Sequence, residues 1–171
     1  METEVKILNI NPEEIRKKLL DLGAERIFNG RLEAKVFDFP GETLRKKGAH
    51  LRIRKTGDKT EITYKEAKKS KEFKKRVEIE THIEDFDIMQ KILEKLGLNE
   101  FNNYEKTRES FKLQNIRFDI DVYPEETGIP PLVEIESTEE GVKKGVELLG
   151  FQMKDTSTAS VWSLLELYKN K

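Results

Sequence analysis

Segment after segment of this chain alternates a charged residue with an aliphatic one, and that alternation limits the folds open to it. Glu2, Glu4 and Lys6 fall on one parity, Val5 and Ile7 on the other. Arg52 and Arg54 alternate with Leu51 and Ile53, and Thr63 and Lys65 with Ile62 and Tyr64. Arg76, Glu78 and Glu80 alternate with Val77 and Ile79; Lys106 and Arg108 share a parity. Arg117, Asp119 and Asp121 alternate with Phe118, Ile120 and Val122, and Glu134 and Glu136 with Val133 and Ile135. Residues i and i+2 of a strand share a face. The pattern therefore predicts strands with one charged and one aliphatic face. They are expected at Glu2–Ile10, Arg31–Phe39, His50–Lys55, Thr60–Lys65, Phe73–Thr81, Glu100–Leu113, Ile116–Tyr123 and Leu132–Ser137. Thr56-Gly57-Asp58 and Gln114-Asn115 read as hairpin turns. Phe39-Pro40-Gly41 breaks a strand, and the Lys-rich Ala67–Lys71 reads as a connection.

The aliphatic faces need cover, and three helical patterns are available to supply it. Asn11-Pro12 reads as an N-cap followed by proline at the first helical position. Ile15, Leu19, Leu20 and Leu22 then form the expected apolar face, closed by Gly23. Asp85 opens a second helix with Ile88, Met89, Ile92, Leu93 and Leu96 expected inward, closed by Gly97. A third follows Ser137, carries Val142, Val146, Leu148 and Leu149, and ends at Gly150. Each ends on a leucine followed by glycine. The order of elements suggests one domain over 1–171 built of two β-α-β-β-β halves, about 1–70 and 71–171.

The charged faces meet either water or each other. An open antiparallel sheet with one solvated face accounts for simple alternation. Against it, like charges recur at i, i+2 in Glu2/Glu4, Glu78/Glu80, Asp119/Asp121, Glu134/Glu136 and Arg52/Arg54. Such neighbours sit roughly 7 Å apart and repel. Many short strands also favour closing the sheet, which removes unpaired edges. The expectation is an α+β protein: a closed eight-stranded antiparallel β-barrel with a charged interior and helices outside. Carboxylate pairs so enclosed call for hard divalent cations such as Mg²⁺ or Mn²⁺. The lysine and arginine groups call for a polyanion.

Composition removes several alternatives. Thirty-two basic and thirty-three acidic residues leave a net charge of −1, so there is no net-basic field for nucleic acid. The chain has no cysteine, which excludes thiol chemistry and suits a cytoplasmic setting. No apolar run is long enough for a membrane helix, and the N-terminus carries no signal-peptide pattern. No P-loop or Gly-x-Gly-x-x-Gly motif occurs. His50 and His82, the only histidines, sit beside apolar strand residues and read as structural or solvated. Trp162 and the nine phenylalanines read as core.

The ordered set Glu2-Thr3-Glu4-Val5-Lys6, Leu51-Arg52-Ile53-Arg54, Thr63-Tyr64-Lys65, Arg76-Val77-Glu78-Ile79-Glu80, Lys106-Thr107-Arg108, Asp119-Ile120-Asp121 and Val133-Glu134-Ile135-Glu136 resembles the CYTH superfamily, the triphosphate tunnel metalloenzymes. The closing Ser160-Val161-Trp162-Ser163-Leu164-Leu165 looks like the family's terminal helix. The resemblance implies an eight-stranded tunnel, Mg²⁺ or Mn²⁺ as cofactor and a small-molecule triphosphate as partner: ATP, thiamine triphosphate or tripolyphosphate. It leaves room for a homodimer. It implies metal ligands among Glu2, Glu4, Asp119, Asp121, Glu134 and Glu136, with Glu78 and Glu80 as supporting acids. Lys6, Arg52, Arg54, Lys65, Lys106 and Arg108 would grip phosphates, with Lys6 and Lys65 in the catalytic role. Arg76 reads as a structural pairing partner and Lys154 as a late basic contact.

Hydrolytic members of the family carry an Asp-x-Tyr-Phe-like segment on the second strand. Here that stretch reads Glu33-Ala34-Lys35-Val36-Phe37-Asp38, and Val36 stands in the tyrosine's place. Valine cannot relay a proton. The specific expectation is therefore a class IV adenylate cyclase-like enzyme forming cyclic AMP and pyrophosphate. A thiamine triphosphatase or inorganic tripolyphosphatase is the alternative, and a non-enzymatic triphosphate- or polyphosphate-binding module the third reading.

Overall fold

The computed structural model describes residues 3–68 and 74–168, the side chains of residues 67, 68 and 74–77 excepted. The described elements run β1 (Thr3–Leu8), α1 (Pro12–Asp21), β2 (Glu25–Asp38), α2 (Thr43–Lys46), β3 (Ala49–Thr56), β4 (Lys59–Lys68), β5 (Lys74–His82), α3 (Phe86–Lys95), β6 (Asn99–Leu113), β7 (Ile116–Val122), β8 (Leu132–Ser137), α4 (Glu139–Leu148) and α5 (Val161–Tyr168). Every described strand pairing is antiparallel, which with the helices makes the fold α+β. By spatial contact the chain forms two compact units. The first comprises Met1–Gly30, Ser70–Lys75 and Lys106–Lys171; the second comprises Arg31–Lys69 and Arg76–Glu105.

In the first unit, β8 pairs with β1 from Thr3↔Ser137 to Leu8↔Leu132 and with β7 from Arg117↔Glu136 to Asp121↔Leu132. β7 in turn pairs with β6, with Arg108 opposite Asp121. Thr3 and Glu4 also pair with Lys75 and Lys74 of β5. Further along β1, the Lys6 amide donates to the Ser157 carbonyl at 2.8 Å and the Ser157 amide to the Lys6 carbonyl at 2.7 Å. The period-two pattern places Val5, Ile7, Phe118, Ile120, Val133 and Ile135 on one face, all buried. Ile15 and Leu19 of α1 and Val142 and Val146 of α4 cover that face and complete the larger core. Gly145 lets α4 lie close against the sheet: a Cβ there would stand 2.8 Å from Ile135 Cγ2. The expected start of α1 is present, with the Asn11 side chain accepting from the Glu13 and Glu14 amides. Its expected apolar face is narrower than proposed. Leu20 and Leu22 are exposed, because one sheet face reaches only the i, i+4 pair Ile15 and Leu19.

In the second unit, β3 pairs with β2 (Leu32↔Thr56 to Phe37↔Leu51) and with β4 (Ala49↔Glu66 to Thr56↔Lys59). Gly57 and Asp58 make the tight β3–β4 turn, with Gly57 at φ +58°, a conformation open to glycine. Phe37, Ile53, Leu93 and Leu98 form a small core, with Leu51, Ile62, Phe86 and Met89 partly buried against it. Here the helix expectation needs correction. Met89 and Leu93 face the sheet as expected, joined by Phe86, but Ile88, Ile92 and Leu96 of α3 are 55%, 46% and 67% exposed. Both sets repeat with helical spacing, and the sheet can cover only one of them. The unforeseen α2 is held by Asp38, whose carboxylate accepts from the Leu44 amide at 2.8 Å and the Arg45 amide at 2.9 Å.

Candidate functional site: two charged strand faces

The face of the first unit opposite its aliphatic core carries Glu4 and Lys6 of β1, Lys106 and Arg108 of β6, Asp119 and Asp121 of β7, and Glu134 and Glu136 of β8. Register fixes who meets whom. Glu4 stands opposite Glu136, Lys6 opposite Glu134, and Asp119 also opposite Glu134. Lys6 Nζ lies 2.6 Å from Glu134 and 3.6 Å from Glu4. Arg108 donates through Nε to Asp121 Oδ1 and through Nη1 to Asp119 Oδ2, both at 2.6 Å, and through Nη2 to Asp121 Oδ2 at 2.7 Å. Lys106 Nζ donates to Asp121 at 2.5 Å and to the Tyr123 hydroxyl at 3.3 Å. These groups are buried: Lys6, Lys106, Arg108, Asp119 and Asp121 are all 5% exposed or less.

Burial of so much charge is tolerable only because signs alternate in space. Burial works against the Lys6 ammonium, but Glu134 and then Glu4 outweigh it and raise its pKa above the ordinary lysine value. Arg108 is held still more firmly charged; burial opposes the charge, and Asp119 and Asp121 overcome that. Burial would raise the Asp121 pKa, but Arg108 and then Lys106 hold it below the ordinary carboxylate range. One acidic group remains close-set within this network. Asp119, Glu134 and Glu136 each present a carboxylate oxygen, and these oxygens lie within 4.8 Å of one another. That donor set fits a hard divalent cation, which prefers several oxygen ligands.

The second unit has its own charged face. Val36 stands opposite Arg52, and Ala34 opposite Arg54, so β2 lends this face small apolar groups. Across from β3, Thr63 pairs with Arg52 and Glu61 with Arg54. Arg54 is ion-paired with Glu61, and Lys65 with Glu78. The Thr63 hydroxyl donates to Glu80 at 2.9 Å. Burial opposes the Arg52 charge, yet Tyr104, Glu61 and Glu78 together raise its pKa. The buried Nε–H of Arg52 has no acceptor among the described residues. An unsatisfied buried guanidinium donor is costly, and an anion's oxygen would satisfy it.

The sequence-predicted residues thus fall into two sets. Glu4, Lys6, Lys106, Arg108, Asp119, Asp121, Glu134 and Glu136 gather in the first unit. Arg52, Arg54, Lys65, Glu78 and Glu80 lie in the second. Glu2 and the Arg76 side chain lie outside the described residues, as do residues 69–71 of the expected Ala67–Lys71 connection. Lys154 sits exposed in a short turn after α4. Sequence reading missed Glu61, Tyr104 and Tyr123. Each lies two residues from a recognised charged-face residue, Thr63, Lys106 and Asp121, so strand parity alone could have found them.

Comparison with known proteins identifies the family and the fold. The family model described as CYTH domain matches residues 1–156. The Methanocaldococcus jannaschii protein named "Putative adenylate cyclase MJ0240" is 33% identical over 121 residues, which cover 71% of this chain and 69% of that protein. The structure of PH1012 protein from Pyrococcus horikoshii superposes with a TM-score of 0.80 at 27% identity, covering 98% of this chain and 99% of that one. HpAC1 of Hippeastrum, described as having a dominant triphosphatase activity, superposes with a TM-score of 0.69 at 17% identity. That alignment covers 98% of this chain and 96% of that one, and the likeness concerns the fold alone. No described helix is long and apolar enough to cross a membrane. The chain belongs to the CYTH domain family.

Proposed function

We propose that this protein is a divalent-metal-dependent enzyme of triphosphates, and specifically a class IV adenylate cyclase-like enzyme. The observation that carries the reading is the close-set trio Asp119, Glu134 and Glu136 beside Lys6 and Arg108 on one buried face. The trio, with Glu4 opposite Glu136, would hold Mg²⁺ or Mn²⁺. Glu2 and Asp121 complete the proposed acid set, with Glu78 and Glu80 supporting. The metal when bound supplies neutralisation of charge developing at phosphorus.

The chain's own groups do the rest. Lys6 stays protonated through the neutral range and places a fixed positive charge against phosphate oxygens. Arg108 and Lys106 orient the acids and offer donors to an anion. On the second unit's face, Arg52, Arg54 and Lys65 have the chemistry to hold phosphate oxygens, and the unmet Nε–H of Arg52 supports that role. The closed eight-stranded barrel implied by the family belongs to the same proposal.

Val36 supports cyclisation over tyrosine-assisted hydrolysis. It stands opposite Arg52, buried, with no group able to activate water. In the cyclase reaction the ribose 3′-hydroxyl oxygen bonds to the α-phosphorus and gives up its proton to solvent, the bond from the α-phosphorus to the bridging oxygen breaks, and pyrophosphate leaves with that electron pair. One observation favours the second reading, a triphosphatase: Lys106 Nζ donates to the Tyr123 hydroxyl, a phenol–lysine pair supplied by β6 and the residue just after β7. Incubation with ATP, thiamine triphosphate and tripolyphosphate under Mg²⁺ or Mn²⁺ separates the readings. Cyclic AMP with pyrophosphate is expected. Orthophosphate release would replace cyclisation with hydrolysis, and tight binding without turnover on any of the three would leave a binding module.

A further inference from the structure

Arg117 stands near the start of β7, on the same face as Asp119 and Asp121. Its Nε donates to Asp119 Oδ1 at 2.9 Å, and Glu136 is its register partner on β8. It therefore addresses two of the three carboxylates whose oxygens lie within 4.8 Å of one another. Its register partner on the other side is Lys112 of β6, an exposed like charge that favours the acidic side. A guanidinium has donors and no acceptor, so it can offer a cation no ligand atom. Arg117 can only compete with a cation for these oxygens.

The basic groups around the trio are held very unequally. Arg108 makes three hydrogen bonds to Asp119 and Asp121, and its side chain is 6% exposed. Lys6 is buried against Glu134. Arg117 holds Asp119 by one hydrogen bond, and its side chain is 45% exposed. Between them Arg108 and Arg117 take both oxygens of Asp119. A divalent ion shared by Asp119, Glu134 and Glu136 brings two more positive charges to that carboxylate, and one guanidinium must give way. Arg108 cannot leave without stranding two buried aspartates. Arg117 can turn its head into water on a flexible stem. A monovalent ion would replace one charge by one charge and forfeit the hydrogen bond, so the exchange favours a divalent ion.

We propose that Arg117 is the resident counter-ion of the acid trio, and that a divalent cation taken up there displaces it into solvent. The inference rests on the reading that Asp119, Glu134 and Glu136 hold the cation. Arg117 offsets the mutual repulsion of these acids, and its displacement sets how tightly the ion is held. Calorimetric titration of the full chain with Mn²⁺ alone tests this. Arg117→Gln should bind Mn²⁺ about tenfold more tightly than the natural chain, because one adjacent positive charge is gone. Arg117→Lys, which keeps the charge, should stay near the natural affinity. Lys112→Gln should tighten binding by about threefold at most, since that exposed charge lies on the far side of Arg117 and is screened. In chelator, Arg117→Gln should melt at a lower temperature than the natural chain, and saturating Mn²⁺ should raise its melting point by the larger amount. Equal affinity in the natural chain and Arg117→Gln, or tightening by Lys112→Gln as large as by Arg117→Gln, would overturn the counter-ion role and leave the cation site standing. No Mn²⁺ binding in either chain, or tight binding that survives when Glu136→Gln is added to Arg117→Gln, would remove the cation site and the counter-ion role together.

Discussion

The two units use the same alternating strands and end with very different interiors. In the first, two helices cover one sheet face, a large core closes beneath them, and on the charged face above Lys6, Lys106, Arg108, Asp119 and Asp121 are buried while Glu4, Glu134 and Glu136 are partly so. In the second, one helix covers a small core, Glu80 is exposed, and the helix keeps three aliphatic residues in solvent. The difference shows that burying charge is a matter of how well the opposite face is packed. A well-anchored sheet can hold Asp121 and Arg108 at hydrogen-bonding distance in fixed register. In the second unit Arg52 and Glu61 are buried as well, and the face opens to water at Glu80.

The largest effect should come from breaking the network of the first unit. Arg108→Met leaves Asp119 and Asp121 buried without their main partner, and should cost about 3–5 kcal/mol in a urea titration. A loss below 1 kcal/mol would mean that the network is far more solvated than its geometry shows. Glu136→Gln removes a carboxylate that stands opposite Glu4, so it relieves repulsion while deleting a ligand of the acid trio. Metal-dependent turnover should fall about 100-fold with the melting temperature held or raised, a ratio worth about 2.7 kcal/mol in barrier height. Full activity would remove Glu136 from the site.

Packing differences sharpen the comparison further. Gly145→Ala drives a methyl group into Ile135, Ile116 and Phe118. Overpacking of this kind should cost about 1–3 kcal/mol, read by thermal melting. The acid limb of the stability curve should also report on the first unit. Asp121 has a folded-state pKa below its ordinary value of 3.8, so its ionised form stabilises the fold above that pH. The contribution is lost as pH falls from about 3.8 through the depressed value. Asp121→Asn should flatten that part of the acid titration; an unchanged curve would show that other groups control it. Arg54→Ala in the second unit takes away the close ion partner of one buried carboxylate, Glu61, and leaves Arg52 4.0 Å from it, so it should cost about 1–3 kcal/mol, less than Arg108→Met with its two. It should chiefly weaken tripolyphosphate binding, measured by calorimetry. Unchanged affinity would take Arg54 out of the phosphate grip.

Much of this was legible in the residues. Strand parity sorted Lys6 from Ile7 and Asp119 from Ile120 correctly, because a strand has only two faces and the period is two. It also grouped the acids of β7 and β8 before any register was known. Helix faces were less legible. Ile88, Met89, Ile92, Leu93 and Leu96 form an apolar arc wider than one sheet can cover, and the sequence holds no mark of which part turns inward. The opening of β2 at Glu25 was missed because Glu25-Arg26-Ile27-Phe28-Asn29-Gly30 shows no alternation. α2 was missed because the carboxylate that holds its amides, Asp38, lies several residues upstream in sequence.

By itself the sequence determined the strand faces, the helix caps at Asn11 and Asp85, the β3–β4 turn and the family, since each depends on local periodicity or on residues at short spacing. Only tertiary structure decided that Asp121 answers to Arg108 and Lys106 while Asp119, Glu134 and Glu136 stand close enough to share a cation. Pairing between strands far apart in the chain sets those distances. A carboxylate's role follows from which charge lies within a few ångströms of it, and spacing along the chain does not carry that information.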